Sequence, residues 1–394
     1  MIPKHARLRR IAIAIVLVFF LAALAPASSR ADFPPYTKVI TIAVVAPLSG
    51  SERQFGIDLS NGVQLAIEEA NASRGLTDFG WQMQSFDDQA DPGIAMQEAE
   101  FALVDPTTTF VIGHIGAEET TFAMQTYHDQ EIPLIVPTQP YFGLTQHGFD
   151  DVFRLCPTDI DEGIQGAKYA EETLKATNVA IVYVKDQFGV DSAQGFQTYA
   201  GTGNKTKTSG FGIDVDLKSD KDIVAQIKAA NPDALYLSGS ATYLSKVLVD
   251  LRAAGVTVPT IANDGFYDLR AIKSAGSAAE GMLVTTCVPP LDLMPSAQLF
   301  VQHFESRFSQ PTVYALYGYV AAQVAMAAAK QSHSADRRLL DRTLSVGTFQ
   351  TVIGPVSFQK NGDLFQPNVY FYAVTGGKPT YSSSAYPNPL VISR

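Results

Sequence analysis

The chain has 394 residues, 46% of them hydrophobic and 17% charged, with 29 basic against 39 acidic side chains and a net charge of −10. An acidic chain of ordinary globular composition is a poor partner for nucleic acid or for an anionic membrane surface. Its length exceeds what one core usually holds, so two domains are expected.

Residues 1–31 have the layout of a secretory signal: basic Lys4, Arg7, Arg9 and Arg10, an apolar run from Ile11 to Leu24, then the small-x-small Ser29-Arg30-Ala31. The run is 14 residues long, short of the roughly 20 needed to span a bilayer as a helix. Cleavage near Ala31 and a soluble, exported protein are therefore expected. Cleavage there removes five basic residues and no acidic one, leaving 24 against 39, a net charge of −15.

From Val39 to Val45 the chain is β-branched and continuously apolar, as a strand covered on both faces should be. A turn, Pro47-Leu48-Ser49-Gly50, leads to a helical pattern with Leu59, Val63, Ala66, Ile67 and Ala70 on one face. The alternation continues with a strand at Gln82 to Phe86, a helix at Pro92 to Val104, a strand at Thr109 to Ile112, a helix at Glu118 to His128 and a strand at Leu134 to Val136. It then restarts with a helix at Asp159 to Lys175, where Asp159 and Glu162 have capping-box spacing. A strand at Val179 to Val184, helices at Asp191 to Tyr199 and Asp222 to Ala230, a strand at Ala234 to Leu237, a helix at Tyr243 to Ala254 and a strand at Thr260 to Ala262 complete the second series. A long helix at Val313 to Lys330 follows, then a hairpin pairing Val352 to Phe358 with Val369 to Val374 around Asn361-Gly362, and an extended tail after Gly377. Short strands alternating with helices specify α/β architecture, here two doubly wound parallel-sheet units in tandem.

No GxGxxG or GxxxxGK[ST] follows a strand, no GxSxG elbow occurs, and the six histidines lack metal-ligand spacing. No catalytic residue, cofactor or metal is expected. Asp87-Asp88 and Asp91 resemble a carboxylate cluster, but Asp91 before Pro92 is better explained as a helix N-cap. Cys156 and Cys287 are the only cysteines; in an oxidising compartment they form either one long-range disulfide or two buried thiols.

What remains is a binder. Ligands of open parallel sheets sit beyond the carboxyl ends of the strands, and the loops there carry Phe55, Tyr141, Phe142, Phe188, Tyr243, Phe266 and Tyr267. That composition suits a small, partly apolar solute. Glu118 and Glu119 open the helix after the third strand. Acids there complement the helix dipole, and Glu118, if it faces the cleft, repels a ligand carboxylate.

Across the mature chain the stretches "IAVVAPLSG", "DDQADP", "FVIGHIG", "IPLIVPT", "AIVYVKDQFG", "LRAAG", "EGMLV" and "VIGPVSFQKNGD" occur in that order. In them the sequence resembles the periplasmic solute-binding proteins of the leucine/isoleucine/valine-binding family, type I, which deliver ligands to ABC importers. The resemblance implies two lobes joined by a three-strand hinge, with crossings near Phe153 to Pro157, Leu283 to Val288 and Val352 to Val356. The first lobe is then 32–154 plus 288–353, and the second is 155–287 plus 354–394. Cys156 and Cys287 fall on adjacent crossings, which favours a hinge disulfide.

In the family a serine and a threonine hold the ligand carboxylate, and an acid holds the ammonium. Carried over, the serine position is Ala117 and the threonine position is Pro140, so both hydroxyls are gone, with Thr138 and Gln139 as replacement donors; the ammonium partner is Asp264. Further contacts fall on Phe55, Phe188 and Ser240, and Tyr141 stands beside Pro140. Ordinary leucine, isoleucine or valine is then not the expected best ligand; a larger, aromatic, cationic or amide compound fits better. The resemblance implies a non-enzymatic, monomeric periplasmic receptor that partners an inner-membrane ABC permease. The alternative is a ligand sensor of the same fold.

Overall fold

A computed structural model describes residues 38–73, 79–203, 206–215 and 219–382. The expected signal segment and most of the tail lie outside them. The first sheet forms from β1 (Lys38–Ala46), β2 (Phe79–Asp87), β3 (Thr108–Gly113), β4 (Leu134–Val136) and β5 (Val152–Arg154), in the spatial order β2-β1-β3-β4-β5 with every pairing parallel. Helices α1 (Arg53–Ala72), α2 (Pro92–Ala102) and α3 (Ala117–Asp129) connect its strands. From Ile40 to Ala46, β1 is fully buried, as its unbroken apolar sequence requires. Asp91 caps α2 by accepting from the N–H groups of Gly93 and Ile94, with Pro92 in the first turn. That settles its role as structural.

The second sheet repeats the plan. It contains β6 (Asn178–Val184), β7 (Lys207–Ile213), β8 (Ala234–Ser238), β9 (Thr260–Ala262) and β10 (Leu283–Thr286), with parallel pairing in the order β7-β6-β8-β9-β10. Helices α4 (Asp159–Glu172), α5 (Gln187–Gly203), α6 (Lys221–Ala230), α7 (Ala241–Ala253) and α8 (Leu269–Ala275) accompany it. Both sheets thus share one strand order, and each reverses direction beside its first strand. Crevices for ligands open at such points, beyond the carboxyl ends of the strands.

The chain then returns to the first lobe. Helices α9 (Gln298–Arg307), α10 (Val313–Ser332) and α11 (Arg337–Val346) add to its core, and α10 packs along α1. The approach is close: a Cβ on Gly62 would lie 2.0 Å from the Ala315 carbonyl oxygen, and one on Gly318 2.3 Å from that of Leu59. Among the described residues no helix is long and apolar enough to cross a membrane.

Three expectations need correction. The hairpin expected between 352–358 and 369–374 does not form. Instead β11 (Thr348–Thr351) pairs with β12 (Gly354–Ser357), while β13 (Tyr370–Thr375) pairs with β10 and with β14 (Lys378–Tyr381), all antiparallel. The turn at Asn361-Gly362 returns only to the Phe358–Leu364 bridge. The third crossing is also displaced, because Val356 and Phe358 join the first core and Asp363 bonds Arg154. First-lobe packing therefore extends past Ile353 to Asp363, and the chain reaches the second sheet at Tyr370. Finally, the favoured disulfide is absent, and Cys156 and Cys287 are free thiols. Burial pushes both thiols well above their usual range, and Cys156 raises Cys287 further.

Candidate functional site

The turn after β3 delivers Gly116 as the N-cap of α3, with no side chain to satisfy the first N–H groups. Glu119 meets part of that need. Its carboxylate accepts its own backbone N–H and folds back over Gly116, where an added Cβ would lie 1.8 Å from Oε2. Burial raises its pKa above the ordinary carboxylate range, and Asp88 adds to the rise. Glu118 is exposed and stands on the cavity wall. The two adjacent acids thus divide, one closing the helix end and the other facing the cleft.

The loop after β4 is braced from beneath. Gln139 donates to the Ile115 carbonyl at 3.2 Å and accepts from the Tyr141 N–H at 2.8 Å. Arg154, fully buried, donates through Nη1 to the carbonyl oxygens of Gln139 and Tyr141. Its Nε and Nη2 bond Asp363, and Nη2 also bonds Thr145. Behind β3, His114 Nδ1 meets Asp88 at 2.7 Å and Nε2 meets the Tyr127 hydroxyl at 3.0 Å, in a buried chain that holds this histidine as a structural group.

The start of α4 sets the opposite wall, and here the sequence reading is off by one residue. Thr158, not Asp159, is the N-cap; it accepts from the Asp161 N–H while Asp161 reaches back to the Thr158 N–H. Asp159 and Glu162 are released from capping and turn inward, each 4% exposed. Glu162 Oε2 accepts from the Asp264 N–H and from Thr285 Oγ1, both at 3.1 Å. Burial raises the pKa of Asp159, Glu162 and Asp264, with Asp264 reaching about 6 and the other two held well above the usual carboxylate range. Their mutual repulsion raises Asp159 and Glu162 further.

Between these walls lies a cavity of about 650 Å³. Ala117, Glu118, Thr121, Phe122, Gln139, Pro140 and Tyr141 line it from the first lobe, and Asp159, Gln187, Phe188 and Asp264 from the second. Six of the expected contacts therefore converge: Ala117, Glu118, Gln139, Tyr141, Phe188 and Asp264. Three do not line it. Phe55 stacks on Tyr314 with ring centroids 4.6 Å apart. Ser240 caps α7 by accepting from the Thr242 N–H and borders a separate hollow with Asp268 and Arg270. The Thr138 hydroxyl is buried without a partner among the described residues and is absent from the wall.

Sequence reasoning missed Asp159, Thr121, Phe122 and Gln187. The last three follow from helical spacing, because Thr121 and Phe122 lie one turn beyond Glu118 and Gln187 opens α5 beside Phe188. Among the described residues no lysine, arginine or histidine lines the cavity.

A family profile described as periplasmic binding protein matches residues 39–378. The Leu/Ile/Val-binding protein of Citrobacter freundii is 30% identical over 344 residues, covering 86% of this chain and 93% of that one. A crystal structure of an ABC transporter substrate-binding protein from Desulfitobacterium hafniense in complex with Leu superposes with a TM-score of 0.74 at 26% identity, covering 87% of this chain and all of that one. A solute-binding protein of an ABC transporter from R. palustris in complex with benzoate shares the fold with a TM-score of 0.67 at 21% identity, covering 87% and 95%.

Proposed function

This chain belongs to the periplasmic binding protein family, and we propose from that premise that it captures a small solute between its two lobes and presents it to an inner-membrane ABC permease. The family binds its solutes without transforming them. The observation that carries the reading is the cavity itself, formed where both sheets end and lined from both lobes. A solute there contacts both walls at once, so binding stabilises the closed arrangement by the difference in its affinity for the closed and open forms. The receptor acts as a monomer in the periplasm after loss of its leader near Ala31.

The relatives' names and complexes supply the solute range, from leucine, isoleucine and valine to benzoate. On this chain the solute is amino-acid-like or aromatic and amphiphilic, as Phe122, Tyr141 and Phe188 suit an apolar body. Thermal unfolding against a panel of amino acids, aromatic acids and amines tests the reading. A true solute at 100 times its Kd stabilises the protein by about 2.7 kcal/mol. A protein that purifies empty and responds to no member of the panel is not a solute receptor of this kind.

A further inference from the structure

Glu118, Asp159 and Asp264 face the cavity, and among the described residues no cationic side chain does. Asp159 is only 4% exposed, and its carboxylate receives no hydrogen bond from any described residue. The Asp264 carboxylate receives none either. Glu162 lies just behind, already bonded to the Asp264 N–H and to Thr285. An unpaired buried carboxylate is costly, and a cation placed against it removes that cost.

Among the described residues no cationic side chain bonds either carboxylate. Arg154 eases the Asp159 carboxyl electrostatically, but its guanidinium is committed to Asp363, Thr145 and the carbonyl oxygens of Gln139 and Tyr141. Across the cavity, two side chains that could hold a carboxylate are missing or occupied, and a third group is itself acidic. Ala117 has no hydroxyl, the Gln139 amide is engaged with backbone, and Glu118 places a negative charge at the helix N-terminus.

We propose that the solute is an organic cation without a carboxylate, its positive nitrogen seated between Asp159 and Asp264 and its apolar part against Phe122, Tyr141 and Phe188. The assignment rests on the receptor reading of the same cavity and narrows it. Aromatic faces near the nitrogen add cation–π attraction, and a carboxylate on the same solute meets Glu118 and no counter-charge.

The test uses matched probes on the wild-type mature protein: phenethylamine, phenylalanine and 3-phenylpropionate, then isoamylamine, leucine and 4-methylpentanoate. Calorimetric titration should rank each amine at least about tenfold tighter than the amino acid of the same skeleton, with no binding of the acid. Asp159→Asn and Asp264→Asn should each weaken the better amine by about tenfold or more, while the wild-type series needs no variant to fold. An amino acid or acid that binds as tightly as its amine overturns the cation assignment and leaves the receptor reading standing. Silence from all six probes at millimolar concentration also overturns the assignment. The receptor reading then stands or falls separately, on whether native mass spectrometry finds a co-purified solute.

Discussion

Arg154 Nε donates to Asp363 Oδ1 at 2.9 Å across 209 residues of sequence, and the same guanidinium carries the carbonyl oxygens of Gln139 and Tyr141. One buried ion pair thus fixes both the end of β5 and the loop that forms the cavity wall. Asp363→Ala leaves the guanidinium buried without its counter-charge, a change that typically costs about 3–5 kcal/mol. Urea unfolding should show a lower midpoint at unchanged slope. A loss under 1 kcal/mol would show that the pair is not what holds the wall.

The two glutamates of α3 should separate by experiment. Glu119→Ala removes the group that closes the helix end and should lower stability by about 0.5–2 kcal/mol, the range for a lost cap. Glu118→Gln sits on the exposed cavity wall and should leave the unfolding midpoint unchanged while altering the affinity for solute. Equal effects on stability would refute the division of roles.

Asp341 on α11 yields a pH prediction. Burial, with Asp150 and Asp151 alongside, pushes its pKa up from 3.8 to about 7, against the smaller opposing pull of Arg342 and His128. The folded form therefore holds a proton that the unfolded chain releases, so this group's contribution to stability falls as pH rises from about 4 to about 7. Asp341→Asn should raise the melting temperature at pH 8 and leave it nearly unchanged at pH 4. The reverse pattern would mean that the carboxylate is ionised and paired in the fold.

Cys156 and Cys287 should be unreactive as folded and free once unfolded. Iodoacetamide at neutral pH is expected to leave the native protein unmodified, because burial raises both thiols. After denaturation without reductant, two adducts should appear in the intact mass. An unlabelled mass lower by two hydrogens would identify a disulfide.

The central parallel strands were readable because they are continuous apolar runs, such as Ile40 to Ala46 in β1 and Val179 to Val184 in β6, as strands covered on both faces should be. Strand β7 is an edge strand whose residues from Lys207 to Phe211 are all at least partly exposed, so it lacks that signature and was missed. The site was readable as far as its loops. It was ambiguous at α4, where Asp159 with Glu162 and Thr158 with Asp161 satisfy the same three-residue spacing. A shift of one residue decides which pair points inward, and packing decides the shift. Ser240 was misplaced for a similar reason, since a serine before a helix serves equally as a cap or a contact.

The close approach of Gly62 to the Ala315 backbone sets an order of events in time. Helix α1 is synthesised early, yet its partner α10 emerges some 250 positions later, after all five parallel strands of the second sheet. Contacts of such long range form slowly, because the intervening chain must be gathered before they reward it. A ribosome therefore releases the parallel strands of the second lobe before the first lobe has its last helices. The half of the protein that is begun first is completed only after most of the other half has been made, and the second sheet in turn waits for β13 and β14.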